Sequence, residues 1–465
     1  MKLTLKNLSF SSLLFVFLIL GMVNLVAELD AKNKTEPVIE EKAHLSLSEA
    51  LEQGRTLAIG GKAKEALPFL RQAADEGSVE GQQLCALILI KLKSPLFFDE
   101  AEERLQKAVE MGSVLALEEQ ARLALEGGLG RAPDFEKAKE LLEKAKDLPG
   151  ARECFYLLGK MAAEGLGRER DLTMAVSFLR RGEEAGSVSS LVGLADLYLG
   201  EGALIERDLP QAEQLLTRAF ALKSGEAAFR LGMIEERLRG EDPNLMKARD
   251  WFVKGSELGD GASFKKLGDY ALEQIGSEEN EAFGLYQTAA VLENADAAYA
   301  LALLYHQGRV VEKDAVASSA WMRIAADRGQ LYAQNELGIR LLNGLGVASD
   351  FDQAVTFLEQ SAEKGYPPAQ FNLGVVLLET ESEPEKLERA FTLLEKAAKA
   401  GHLESAAQLA RLYTSGTVRE KDLSNAAYWA SRASVDPRFE KLALEAKSVL
   451  NEQQKAELES RLKKL

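Results

Sequence analysis

Residues 318–374 read SSAWMRIAADRGQLYAQNELGIRLLNGLGVASDFDQAVTFLEQSAEKGYPPAQFNLG. Ser318 and Ala354, 36 residues apart, open parallel texts: S-x-x-W-M-x-x-A-A-x-x-G and A-x-x-F-L-x-x-S-A-x-x-G, each followed by A-Q-x-x-L-G. Self-similarity at that period is the signature of a solenoid, in which each repeat buries its apolar face against its neighbours. The composition agrees with helix: rich in Ala, Leu and Glu, with 11 Pro and 7 % aromatic residues in 465.

With Ala354 as a register mark, equivalents stand at Ala66, Ala101, Ala138, Ala175, Ala212, Ala248, Ala282, Ser318, Ala390 and Ala426. Seven places after every mark is a small residue, from Ala73 and Ala108 through Gly182 and Gly255 to Ala397 and Ala433. Bulky residues fill places i+3 and i+4, as in Phe69-Leu70, Phe178-Leu179, Trp251-Phe252, Trp321-Met322 and Phe357-Leu358. Positions i, i+3, i+4 and i+7 share one face of an α-helix, the mark helix. Gly at i+11 (Gly77, Gly112, Gly186, Gly259, Gly329, Gly365, Gly401) predicts its left-handed C-terminal stop.

A second helix follows, centred on an L-G or L-A pair such as Leu231-Gly232, Leu267-Gly268, Leu337-Gly338 and Leu373-Gly374. Gly inside a helix costs about 1 kcal/mol, so its recurrence predicts a close approach by another helix. Asp or Asn recurs four places before the next mark (Asp134, Asp171, Asp208, Asn244, Asp314, Asp350, Asp422), which predicts N-caps.

These residues closely resemble the Sel-one-like repeat family of tetratricopeptide-related helical hairpins. The helix ends around Tyr198, Tyr305–Gly308 and Tyr413–Gly416, the Asp caps and the A-A-x-x-G endings carry the resemblance. It covers residues 45 to 465 and departs at Lys91–Phe98, around Pro149 and at Glu381–Leu387. It implies an all-α solenoid of ten to eleven hairpins in a right-handed superhelix, whose L-G helices line a concave groove. It also implies adaptor roles in envelope assembly, signalling or protein quality control.

The two ends differ from the array. Lys2, Lys6 and the apolar run from Leu13 to Leu20, extended through Val26, predict a signal peptide over residues 1–27, short for a membrane span. Residues 28–44 read as a flexible leader, and the Asn33-Lys34-Thr35 sequon within them as a chance occurrence. The solenoid then occupies residues 45–436 and a helical cap residues 437–465, with Asn451 and Gln454 as a capping box. Export to the periplasm or cell exterior follows from a cleaved signal; an uncleaved segment would instead tether the chain to a membrane.

Chemistry is sparse. A net charge of −16 opposes a nucleic-acid partner. With 3 His and 2 Cys, the chain holds no H-E-x-x-H and no Cys-His metal spacing. Cys85 and Cys154 read as buried thiols, and Trp251, Trp321 and Trp429, all at i+3, as core. Gly165-Leu166-Gly167 and Gly344-Leu345-Gly346 follow helices, so they are turns rather than phosphate cradles. No catalytic, metal or cofactor site is expected. The resemblance implies a non-catalytic scaffold for a protein or peptide partner, on a groove lined by Phe229, Met233, Tyr299, Leu303, His306, Asn335, Ile339, Phe371, Val375 and Arg411; the alternative for these positions is ordinary core covered by neighbouring helices. A cell-wall-acting enzyme, or a regulator of one acting on peptidoglycan or β-lactams, stays open as an alternative. The cysteine pairs that some family members carry in each repeat are missing here.

Overall fold

A computed structural model describes residues 45–59, 62–92, 94–200, 207–238 and 243–463. The predicted signal peptide and leader lie outside them. The described chain is helical throughout, and it divides into two compact units, one ending at Asp134 and one beginning at Phe135.

The first unit runs α1 (Leu47–Ile59), α2 (Ala63–Asp75), α3 (Val79–Lys91), α4 (Phe98–Glu110) and α5 (Val114–Glu126). The expected helix at Leu45–Ala58 is α1, and it pairs with the helix of Ala66: a Cβ on Gly54 would meet Leu70 Cδ2 at 2.6 Å.

The second unit continues the alternation, with L-G helices at Glu153–Glu164, Val188–Leu199, Gly225–Met233, Gly261–Leu272, Ala295–Gln307, Leu331–Asn343, Pro367–Thr380 and Leu403–Ser415. Mark helices stand at Phe135–Ala145, Leu172–Glu184, Leu209–Ala221, Leu245–Glu257, Glu281–Val291, Ala315–Asp327, Phe351–Glu363, Pro384–Lys399 and Leu423–Ala433. Two short helices, Glu440–Ser448 and Glu452–Leu462, follow a 3-10 turn at Pro437–Phe439. Asn451 and Gln454 form the reciprocal capping box, at 2.9 and 3.0 Å.

Two contacts set this packing. Within a unit, an L-G helix lies against the mark helix after it, and where the pair holds a glycine it faces the i+4 side chain: Gly159 faces Leu179, Gly232 Phe252, Gly268 Tyr286, Gly338 Leu358 and Gly374 Leu394. Every one of these i+4 side chains is at most 2 % exposed. The small i+7 residue in turn meets a small residue on the L-G helix that follows: a Cβ on Gly182 would sit 2.8 Å from Ser190 Cβ, and one on Gly255 3.0 Å from Ser263 Cβ. Large beside small at alternate levels lets both neighbours of a mark helix approach closely.

Six of the seven expected Asp or Asn caps are in place. Asp171, Asp208, Asn244, Asp350 and Asp422 accept the backbone N–H three residues on at 2.9–3.0 Å; Asp314 accepts those of Val316 and Ala317. All seven predicted stop glycines have φ between 80° and 93°. A second set went unread in the sequence. Ser78, Ser113, Ser187, Ser224, Asp260, Asn294, Gln330 and His402, twelve places past the mark, cap the L-G helices.

The departures are local. After Lys91 a 3-10 turn at Pro95–Phe97 leads into α4; Gly150, at φ 89°, turns the chain beside Pro149. At Glu381–Leu387 the mark helix gains a turn and starts at Pro384, a favoured residue for a first helical position. The tryptophan reading needs correction. Trp429 is core at 5 % exposure, but Trp251 and Trp321 are half-buried. Place i+3 borders the interhelical seam rather than facing the glycine, so Trp251 and Trp321 keep one side in solvent, while Trp429 is covered in a cluster that includes Ala443 of the C-terminal helices. Lys254 Nζ covers the Trp251 ring at 4.0 Å. Cys85 and Cys154 are buried thiols outside any disulfide.

Candidate functional site

Side chains of an L-G helix that face neither the following mark helix nor the previous one lie on a free face of the second unit. Between Ala295 and Ser415 that face carries an aromatic run assembled from three repeats. Tyr299 stacks on Tyr332, ring centroids 6.1 Å apart at 27°, and Tyr332 meets Tyr366 edge-on at 5.0 Å. Each comes from the first turns or the cap of its own helix, where the stacking of repeats brings helix N-termini side by side. Tyr332 is 53 % exposed; the other two are half-buried. Burial pushes the Tyr299 and Tyr366 phenols above their ordinary range, and the carboxylate of Glu336 adds to it. Further along, Phe371 packs on the His402 ring at 5.0 Å.

Beneath the tyrosines is a polar layer. Asn372 Nδ2 donates to Asn335 Oδ1 at 2.8 Å, linking successive L-G helices. Arg340, 4 % exposed, donates to Ser319 Oγ at 2.9 Å and to Glu336 at 3.3 Å, and its Nη2 lies 3.4 Å from His306 Nδ1. Ser319 Oγ passes a bond to Leu345 O at 2.9 Å. A buried guanidinium held this way fixes the spacing of three helices.

Of the residues expected in a groove, Tyr299, Leu303, Ile339, Phe371 and Val375 are half-buried on this face, and His306 and Arg411 are exposed. Arg411 bonds Gln408 Oε1 at 3.2 Å. Asn335 is only 8 % exposed, so it supports the face from within, while its partner Asn372 is half-buried. Phe229 and Met233, half-buried two repeats earlier, flank the core around Phe252, with Phe229 at 5.7 Å from the Phe252 ring. The sequence reading missed Tyr332 and Tyr366. They stand fourteen and twelve places past their marks, outside the positions counted from the L-G pair, so the repeat register gave no signal for them.

Elsewhere a cavity of about 320 Å³ opens between the helices Glu153–Glu164 and Val188–Leu199. Gly159 and Gly193 leave the room, Leu172, Leu179 and Leu197 line it, and Lys160, Glu164, Arg170 and Asp196 rim it. Asp196 is held by Arg230 Nε at 2.7 Å. Among the described residues no group of three His, Cys, Asp or Glu side chains is placed to hold a metal ion, and no helix is long and apolar enough to cross a membrane.

Helical hairpins stacked at a 36-residue period, with a free face running across successive repeats, define an α-solenoid of the tetratricopeptide-like kind. The Sel1 repeat profile matches residues 120–149, 155–187, 188–224, 225–260, 295–330, 331–366, 367–402 and 403–434, more than half of the chain. The chain belongs to the Sel1 repeat family, whose members generally act as protein-interaction scaffolds. The hairpin Gly261–Val291 escapes the profile yet packs as the others do, with Tyr286 in the i+4 place.

Among solved structures, c5321 from uropathogenic Escherichia coli, a protective antigen displaying an SLR fold, is 24 % identical, with a TM-score of 0.50 over 89 % of this chain and 90 % of that one. A Sel1 repeat protein from Oxalobacter formigenes is 25 % identical, with a TM-score of 0.42 over 69 % and 89 %. No curated protein matches the sequence.

Proposed function

We propose that the chain is an exported, non-catalytic scaffold that binds a protein or peptide partner on the L-G face between Tyr299 and Arg411. One observation carries this reading: the run of aromatic and aliphatic side chains (Tyr299, Tyr332, Tyr366, Ile339, Phe371, Val375) crosses three repeats and remains open to solvent at Tyr332. Aromatic and Arg side chains are the usual anchors of such interfaces. The polar layer of Asn335, Asn372 and Arg340 holds the face rigid, which lowers the ordering cost of binding. Export rests on the basic and apolar residues at the N-terminus alone.

The test is affinity capture from the native envelope, comparing wild type with Tyr332→Ala/Arg411→Ala. Both side chains are exposed, so helicity and melting are expected to hold while capture of the partner falls at least tenfold. Unchanged capture would remove this face from the interaction. Sequencing the mature N-terminus checks export: a start near Glu28 supports it, and an intact Met1 turns the reading to a tethered adaptor.

A further inference from the structure

Several aromatic rings on the mark-helix side already carry a cation from the chain itself. Arg419 lies 3.9 Å from the Phe391 ring centroid, Lys254 4.0 Å from Trp251, Arg432 5.4 Å from Trp429 and Arg323 5.8 Å from Phe357. The tyrosine run is built differently. Its rings meet one another, and among the described residues no cation of the chain lies over their faces; two carboxylates stand near, Glu336 one helical turn beyond Tyr332 and Asp296 three residues before Tyr299. The guanidinium in the same helix, Arg340, is buried and committed to Ser319, Glu336 and His306.

The face of a phenol ring carries negative potential and attracts a cation, most strongly a guanidinium, which can also stack flat on it. The neighbouring carboxylates raise that attraction, and so does a net charge of −16. We propose that the surface formed by Tyr299, Tyr332 and Tyr366 receives an Arg- or Lys-bearing extended segment of a partner protein, a cationic side chain lying over the exposed Tyr332 ring and pairing with Glu336. This rests on the reading of the L-G face as a partner surface and adds the chemistry of the partner. A wholly apolar segment fits less well, because Glu336 is paired with Arg340 on its buried side only, and covering the face would strip water from the exposed side without replacing it. A nucleic acid is opposed by the same carboxylates.

The experiment uses the full chain and fluorescein-labelled synthetic peptides of repeated Gly-Ser-Xaa, with Xaa as Arg, Leu or Glu, followed by anisotropy at physiological salt. The Arg peptide is expected to bind at least tenfold more tightly than the Leu peptide, and the Glu peptide not to bind. Tyr332→Leu keeps an apolar side chain and the net charge but removes the ring. It is expected to weaken the Arg peptide about three- to tenfold, within the range of a cation–π contact. Tyr332→Phe, which keeps the ring, should stay within about twofold of wild type. An Arg peptide held equally by Tyr332→Leu would show attraction by net charge alone and overturn the proposal, as would the absence of binding by any peptide. A Leu peptide that binds best and is weakened by Tyr332→Leu would also overturn it, while leaving the face a partner surface.

Discussion

Gly338 and Leu358 touch through the space a methyl group would need: a Cβ on Gly338 would lie 2.7 Å from Leu358 Cγ and 3.2 Å from Ala354 O. The same relation recurs between Gly374 and Leu394, at 3.0 Å. The glycine therefore sets how closely the two helices of a hairpin approach. Gly338→Ala is expected to destabilise by about 1–3 kcal/mol, as overpacking does. Gly284 is the internal control, a helical, exposed glycine with nothing within 4 Å of its built Cβ. Gly284→Ala should stabilise by about 0.5–1 kcal/mol. Denaturant midpoints for the two variants, moving in opposite directions, check the pair.

Ala325, fully buried at i+7, stands where the small residues of mark helix and next L-G helix meet. Ala325→Leu should force these helices apart at a cost of about 1–3 kcal/mol. A wild-type unfolding curve from circular dichroism would contradict the packing register.

Asp350 opens the helix Phe351–Glu363 by accepting the Gln353 N–H at 3.0 Å. Asp350→Ala should lower stability by about 1 kcal/mol, and Asp350→Asn or Asp350→Ser should restore most of it. The comparison is read from thermal melts of the three variants.

His402 caps its helix through Nδ1, which accepts the Ser405 N–H at 3.3 Å. Burial holds its pKa below the ordinary 6.5, with Glu404 opposing. In the unfolded chain the imidazole takes up its proton at a higher pH than in the fold. Its contribution is therefore complete above about pH 6.5 and is lost as the pH falls through the depressed folded value. His402→Asn keeps a cap and removes the titration. The stability difference between wild type and variant should shift towards the variant between pH 7 and pH 5. A difference flat across that interval would refute the assignment.

Cys85 is buried and its thiol is pushed up to about 11, chiefly by desolvation. At neutral pH it should react with an aromatic disulfide reagent only as the chain unfolds, and a reductant should leave the midpoint unchanged. Rapid labelling of the native chain at Cys85 would show that the thiol is accessible.

The period, the two helices of each repeat, the Asp caps and the stop glycines were all legible in the order of residues. Each depends on neighbours within about one turn of helix, or on the same place one repeat away. The small i+7 residues and the L-G glycines could likewise be recognised as close approaches, though not what each would meet. The serine-type caps at i+12 were missed because their identity varies: Ser, Asp, Asn, Gln and His all accept an N–H there.

The half-burial of Trp251 and Trp321 and the joining of Tyr299, Tyr332 and Tyr366 were decided only by tertiary structure. The three tyrosines hold different places within their repeats, so no periodic reading aligns them, and only the lateral offset between stacked helices brings their rings to 5.0–6.1 Å. Sequence determines what each helix turns inward, because burial repeats with the helical period. What a stack turns outward together depends on how far each hairpin slides and rotates against the next, and that is set by side chains meeting across repeats.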